Sequence, residues 1–443
     1  MKRKVLACCM AAFMVLGLTA CGSTEKDSAK VENSSVKTES GDTEGGEDKG
    51  EAKKIVWATW SSQEDSTKDV ISKMAEGFNG SGTTQVEVIG WPWADTQQQL
   101  IIRNQGSEVL DVAQVDINMF GALSEMDILV DMNELLGEDY LKENYEAAAL
   151  TVGQKDGKQL GMPWAIASIN MVYNPTLLAV VGYNEAPKTI AEFEDCMQKL
   201  REYDPEIIPY GVSTKDATMA TDFQPWLWTF GGQLINEAGE IAANSDAMVQ
   251  CMDWYKGLVD KGFIQMNIAR SDARTLFAQG KMAFYDDAIA SNGVAVSNGV
   301  DADNLDQYIK TMARPVLKEG DQQQVSMWGH LLVVFKKSKA QAEAGEFIKY
   351  LVSEEVGLDY LESNGMPPVL KSALESDEVK NNTWVQPWLE LTKDGTRLEF
   401  AMKSNGGELN NIVVEELQAA MSGAKDSKKA AEDMQLRLES TYK

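Results

Sequence analysis

Among the eleven tryptophans of the 443-residue chain, many fall at the ends of apolar, β-rich runs. Trp60 ends the run KKIVWATW, Trp91 and Trp93 bracket Pro92, and Trp164 follows Met162-Pro163. Trp226 and Trp228 flank a loop-to-helix start, and Trp328 precedes Gly329-His330. Polar partners stand close by: Ser61 and Ser62, Asp116 and Asn118, Asp222, and the pair Asp286-Asp287. Flat rings that pack on C–H faces, beside carboxylates and amides that pair hydroxyls, make the kind of pocket a saccharide requires.

The same residues are poor material for catalysis. The chain has one histidine, His330, whereas metal sites and Ser-His-Asp chemistry usually draw on that residue. No metal or cofactor is expected. A glycoside hydrolase needs two carboxylates roughly 5 to 10 Å apart astride a bond. Asp286 and Asp287 are adjacent, so on a strand they point to opposite faces and make a poor pair. A site for a polyamine or a peptide is compatible with the mixture of Trp and Asp. Structural roles compete throughout: Trp57 and Trp254 repeat with apolar neighbours and read as core, while Trp228, Trp384 and Trp388 fit either role. Asp116 and Asp287 also suit an N-cap or a turn, and His330 also suits a satisfied polar position at a strand start.

At the front, Met1-Lys2-Arg3-Lys4 precedes an apolar run from Val5 to Ala20, the pattern of a secretory signal over residues 1–20. Leu18-Thr19-Ala20-Cys21-Gly22 resembles the lipobox of bacterial lipoproteins, which implies a lipid-modified Cys21. Residues 21–54 read as a disordered tether, too poor in apolar side chains to offset the entropy of ordering. The formal charge is −27, and losing Lys2, Arg3 and Lys4 moves it to −30. That acidity argues against nucleic acid and against direct adsorption to an anionic membrane. Of five cysteines, Cys8 and Cys9 leave with the signal. Cys196 and Cys251 then fall in helical patterns and read as buried thiols, with a disulfide between them left open.

Elements that would position the tryptophans follow from periodicity. KKIVWATW, QVEVIGW and VLDVAQVD read as strands, and DVISKMAEGFNG and TQQQLIIRNQG between them as helices. That alternation is an α/β pattern. Further helices are TIAEFEDCMQKLREY, DAMVQCMDWYKGLVDKG, SDARTLFAQG, QAEAGEFIKYLVS and the tail from Leu409 to Ser440, interrupted at Ser422-Gly423. KMAFYDD and HLLVVFKKS read as strands.

Several stretches, taken in order, resemble one family: extracellular solute-binding proteins of ABC transporters, the group that includes the maltose-binding protein. They are MPWAIASINMVYN with its Tyr173-Asn174 ending, APKTIAEFEDCMQKL, FQPWLWTFGGQLINEAGE, LFAQGKMAFYDD and MWGHLLVVFKKSKAQAEAGEFIKYLVSEE. GMPPVLKSAL and LQAAMSGAKDSKKAAEDM continue the series. The resemblance implies an α/β, two-lobed periplasmic-binding-protein fold with discontinuous lobes and an interlobe cleft. Lobe one would hold 55–165 and 287–337, and lobe two 166–286 and 338–443. It further implies a non-enzymatic, monomeric receptor that captures an oligosaccharide and delivers it to ABC permease subunits, tied to the outer face of the cell membrane by its lipid alone. Ligand contacts are then expected from Trp60, Ser61, Trp91, Trp93, Asp116, Asn118, Trp164, Asp222, Trp226, Asp286, Asp287, Trp328 and His330. Replacing Trp164 by Ala is expected to weaken binding without unfolding the protein. The family's maltose binder carries a ligand-binding Glu on the crossing strand, where AIASIN offers Ala167-Ser168, and a sugar-facing Trp in the strand-end loop, where QVDINMF has none; maltose itself does not fit this pattern.

Overall fold

The computed structural model describes residues 53–442, other than 83 and 109. The expected signal segment, Cys21 and nearly all of the tether lie outside the described residues. Ten strands occur among the described residues: β1 Lys53–Ala58, β2 Thr84–Ile89, β3 Val112–Asp116, β4 Gln154–Lys155, β5 Lys158–Gln159, β6 Met162–Tyr173, β7 Ile208–Gly211, β8 Met282–Asp287, β9 Lys310–Met312 and β10 Ser326–Val334. Apart from the β4–β5 hairpin they join in one sheet, ordered β2-β1-β3-β10-β6-β8-β7, with β9 also on β6.

Strand β6 makes this sheet two half-sheets. Its residues Met162 to Ile169 pair antiparallel with β10, and its residues Asn170 to Tyr173 pair with β8 and β9. Twelve residues long and buried on both faces, MPWAIASINMVY is a near-continuous apolar run, as a central strand must be.

In the first half, β1 runs parallel to both β2 and β3, and β10 closes against β3. Helix Lys68–Ser81 buries Val70, Ile71, Met74 and Ala75 at helical spacing, stacked over β2. In the second half, β7 pairs parallel with β8. Its core joins Phe193, Trp226, Met252, Leu417 and Met434, drawn from helices Ile190–Tyr203, Thr218–Thr229, Asp246–Asp260, Gly406–Met421 and Ser427–Thr441. The first of these opens with a capping box, Thr189 to Glu192. The break at Ser422-Gly423 separates the last two, with Gly423 at φ 74°. Cys196 and Cys251 are free, buried thiols in this core.

Pairing and packing divide the chain differently from the expected boundaries. On β6 the switch falls at Ile169/Asn170, beyond the expected Ala165/Ile166. Residues through Val316, expected in lobe one, stay with the second half: β9 adds to β6, Val316 bridges Thr189, and Arg314 pairs with Asp286. Helices Gln341–Leu351 and Glu354–Asn364, expected in lobe two, pack on β1, β10 and helix Lys68–Ser81. There Phe347 meets Trp57 edge-on, ring centroids 5.2 Å apart, and Ile348 and Leu351 are buried in the same core. Among the described residues no helix is long and apolar enough to cross a membrane.

Candidate functional site

Where β10 meets β6, four rings gather. The His330 imidazole lies 4.9 Å from Trp60, 4.5 Å from Trp328 and 6.2 Å from Trp164, between ring centroids. A bulge sets this up. His330 pairs with Ala165 and Leu331 with Pro163, so Trp164 is the extra residue on β6 and is re-aimed by the irregularity. Gly329 permits the close approach, since a side chain there would meet the Ala165 carbonyl oxygen at 2.6 Å. Trp60 opens a 3₁₀ turn directly after β1.

Trp60, Trp164 and His330 are 2%, 3% and 5% exposed, so this wall is almost closed from solvent. His330 Nδ1 faces Gln114 Nε2 at 3.1 Å. Burial pushes its pKa down to about 3, so the ring is neutral at physiological pH. Two buried polar atoms of this wall, His330 Nε2 and Trp164 Nε1, have no hydrogen-bond partner among the described residues. Beside it, Asp116 ends β3 and caps helix Ile117–Glu125 by accepting from Met119 N at 2.7 Å. Its other oxygen accepts from Trp93 Nε1 at 2.8 Å. Burial nonetheless raises its pKa, outweighing those hydrogen bonds. Trp93 is 44% exposed and presents its ring outward from this anchor.

The second-half wall is ionic. Asp287, the register partner of Asn170 at the middle of β6, takes a bidentate bond from Arg274 at 2.7 and 2.8 Å. Burial pushes its pKa up, but Arg274 and its neighbours more than reverse that and hold it below the usual carboxylate range. Asp286 takes Arg314 Nη2 at 2.6 Å and the Tyr210 hydroxyl, and Asp222 pairs with Arg270. Burial pushes Asp222 up to about 7 against the opposing charge of Arg270. Glu64, in the turn after Trp60, is a first-half acid that feels the charges of Arg274 and Asp287; burial raises its pKa. Trp228 spans the halves, packing on the core around Trp60 while its indole donates to Glu399 at 2.8 Å.

Some expected contacts are placed elsewhere. Trp226 sits inside helix Thr218–Thr229, not at its start, and is a core residue. It stacks on Phe193 at 6.0 Å, carries the Arg314 guanidinium over its ring at 4.8 Å, and donates to Tyr210. Trp91 is covered by Arg103, 4.8 Å from its ring. Ser61 is buried, its main chain donating the N–H to Gln114 and accepting from the Thr67 hydroxyl. Asn118 is half-buried in the first turn of its helix. Trp57 is fully buried and Trp254 half-buried in the second core. Trp388 is buried, and half-buried Trp384 donates to Ile289 O at 2.8 Å. A cavity of about 750 Å³ lies apart from both walls, lined by Glu125, Asp131, Lys155 and Lys336 without an aromatic ring.

Residues 73–387 match the model of a family described as bacterial extracellular solute-binding protein. The chain belongs to that family. This solute-binding protein is 24% identical over 392 residues to the diacetylchitobiose-binding protein DasA of Streptomyces coelicolor, covering 85% of this chain and 84% of that one. It is 22% identical to a maltooligosaccharide ABC transporter solute-binding lipoprotein of Streptococcus pneumoniae, covering 86% and 88%. Its fold is that of the GacH receptor of Streptomyces glaucescens, with a TM-score of 0.78 at 19% identity over 88% of this chain and all of that one. The two-lobed α/β architecture is therefore shared.

Several residues of the walls of this solute-binding protein escaped the sequence reading. Arg270 and Arg274 stand four apart on one helix, so they share a face, and two buried aspartates ending a neighbouring strand called for such cations. Gln114 lies in VAQVD as the polar residue in the middle of a buried strand, which is a signal. Arg314 and Glu399, both in irregular segments, left none.

Proposed function

We propose that this solute-binding protein captures an oligosaccharide between its two halves and passes it to the permease of an ABC importer. The observation that carries the reading is the cluster of Trp60, Trp164, Trp328 and His330 beside β6, with two buried ring nitrogens unpaired among the described residues. Rings supply stacking faces, and unpaired buried polar groups cost about 1–3 kcal/mol each until a ligand satisfies them. Strand β6, shared by both half-sheets, is the place for a hinge of the kind periplasmic binding proteins use. Ligand favours the closed state only through contacts to both halves, which the cluster on one side and Arg270 and Arg274 on the other would supply. Asp286 and Asp287 are each bound by an arginine, which supports binding over hydrolysis.

Named relatives point the same way: one binds diacetylchitobiose, and the pneumococcal one is a maltooligosaccharide-binding lipoprotein. On this reading the protein works as a monomer at the outer face of the membrane, held there by lipid on Cys21. Calorimetry with gluco-, manno-, galacto- and xylo-oligosaccharides tests the ligand class, with saturable binding to at least one expected; silence across the panel would reject it. Cys21→Ser should release the protein into the medium, and continued membrane association would reject the anchor.

A further inference from the structure

We infer that Gln114 is a positioning residue of this site, fixing the His330 proton on Nε2 so that the wall offers the ligand two N–H donors. The inference rests on the oligosaccharide-site reading, which it deepens by naming what the ligand must bring: an acceptor oxygen, from a hydroxyl or a carboxylate, opposite Trp164 Nε1 and His330 Nε2.

The argument starts from the fully buried amide of Gln114. Its Oε1 receives the backbone N–H of Ser61 at 3.4 Å and the hydroxyl of Thr59. A backbone N–H can only donate, so the oxygen of the amide must face it. The amide nitrogen is thereby turned to His330 Nδ1, 3.1 Å away, and it too can only donate. Nδ1 must therefore hold a lone pair. In a neutral imidazole the proton then sits on Nε2, the atom left without a partner. Burial keeps the ring neutral, with a pKa of about 3. Its packing neighbours Trp60, Trp164 and Trp328 do not ionise. Its register partner Asp116 is the one acid opposite it, and both Asp116 oxygens are already engaged, by Met119 N and Trp93 Nε1. Trp164 Nε1 is a donor by its chemistry. Two such donors side by side suit an acceptor oxygen of a sugar better than an ammonium group, which has only donors to offer.

His330 is the sole histidine of the chain, so nitrogen NMR of the labelled full chain reads its tautomer without assignment. The wild type should show the proton on Nε2 at every pH from about 5 to 8, since the folded ring stays neutral there. In Gln114→Glu, a carboxylate at Nδ1 should draw the proton to that nitrogen. Affinity for the sugar found by calorimetry should then fall about tenfold and become pH-dependent. Gln114→Met, which keeps the volume, should show mixed tautomers and an intermediate affinity. Thermal melts report whether each variant folds, and the wild-type spectrum stands even if neither does. A wild-type proton on Nδ1 overturns the inference, as does a Gln114→Glu variant with unchanged affinity and pH profile. If no sugar binds at all, the function reading fails instead, while the tautomer is still measured.

Discussion

The indole of Trp164 lies flat on Tyr360, ring centroids 4.8 Å apart and planes 11° from parallel. The bulge residue of β6 is thus held by helix Glu354–Asn364 on one side and approaches His330 on the other. Trp164 is both a packing residue and a candidate donor, and the two roles can be separated.

Trp164→Ala should destabilise the protein by about 3–5 kcal/mol, because it empties a closed site and removes the stack. The substitution is therefore expected to weaken the fold as well as the binding, with the protein still folded in the absence of denaturant. Trp164→Phe should retain most of the packing and lose only the N–H, weakening sugar binding by about tenfold. Urea unfolding and calorimetry on the two variants would separate these effects; equal affinity of Trp164→Phe and wild type would remove Trp164 Nε1 from the site.

His330 should make stability depend on pH. An unfolded imidazole titrates near 6.5, and the folded one is pushed down to about 3 by burial. Between those values the unfolded chain binds more protons, so stability falls as pH drops from about 6.5 toward 3 and is flat above. The slope is at most about 1.4 kcal/mol per pH unit. His330→Gln should lack this component, read as the difference in urea midpoint below and above the window.

Arg314 should be intolerant of neutralisation. Arg314→Met leaves Asp286 buried with Tyr210 as its remaining partner, and breaking such a pair from one side costs about 3–5 kcal/mol. Arg314→Met with Asp286→Asn should cost less than the single change. A denaturation cycle over the four proteins measures the difference, and additive losses would argue against a coupled pair.

Trp93 offers the cleanest surface test. It is 44% exposed and tied to Asp116 by one hydrogen bond. Trp93→Ala should cost about 1 kcal/mol of stability and weaken binding by about tenfold or more if its ring meets the ligand. Unchanged affinity in the folded variant would exclude Trp93 from the site.

The strands and helices were largely legible in the sequence. KKIVWATW, QVEVIGW and KMAFYDD have the β-rich composition of strands, and TIAEFEDCMQKLREY carries helical spacing behind a Thr-to-Glu cap. These signals are local, so they survive without knowledge of the fold. Trp60, Trp164, Trp328 and His330 were each named from the sequence as candidate ligand contacts. That their rings lie against one another was not legible there. That Trp164 is a bulge, that Gln114 orients His330, and that Trp226 turns inward onto Arg314 follow from which strands become neighbours. Side-chain partners more than fifty residues apart leave no mark on local periodicity. Which half owns Phe347 or Arg314 is decided by the apolar surface or the carboxylate each meets after folding. Sequence alone determined the elements and the kinds of side chain at their ends; packing decided which of those side chains face one another, because burial and pairing are properties of the folded whole.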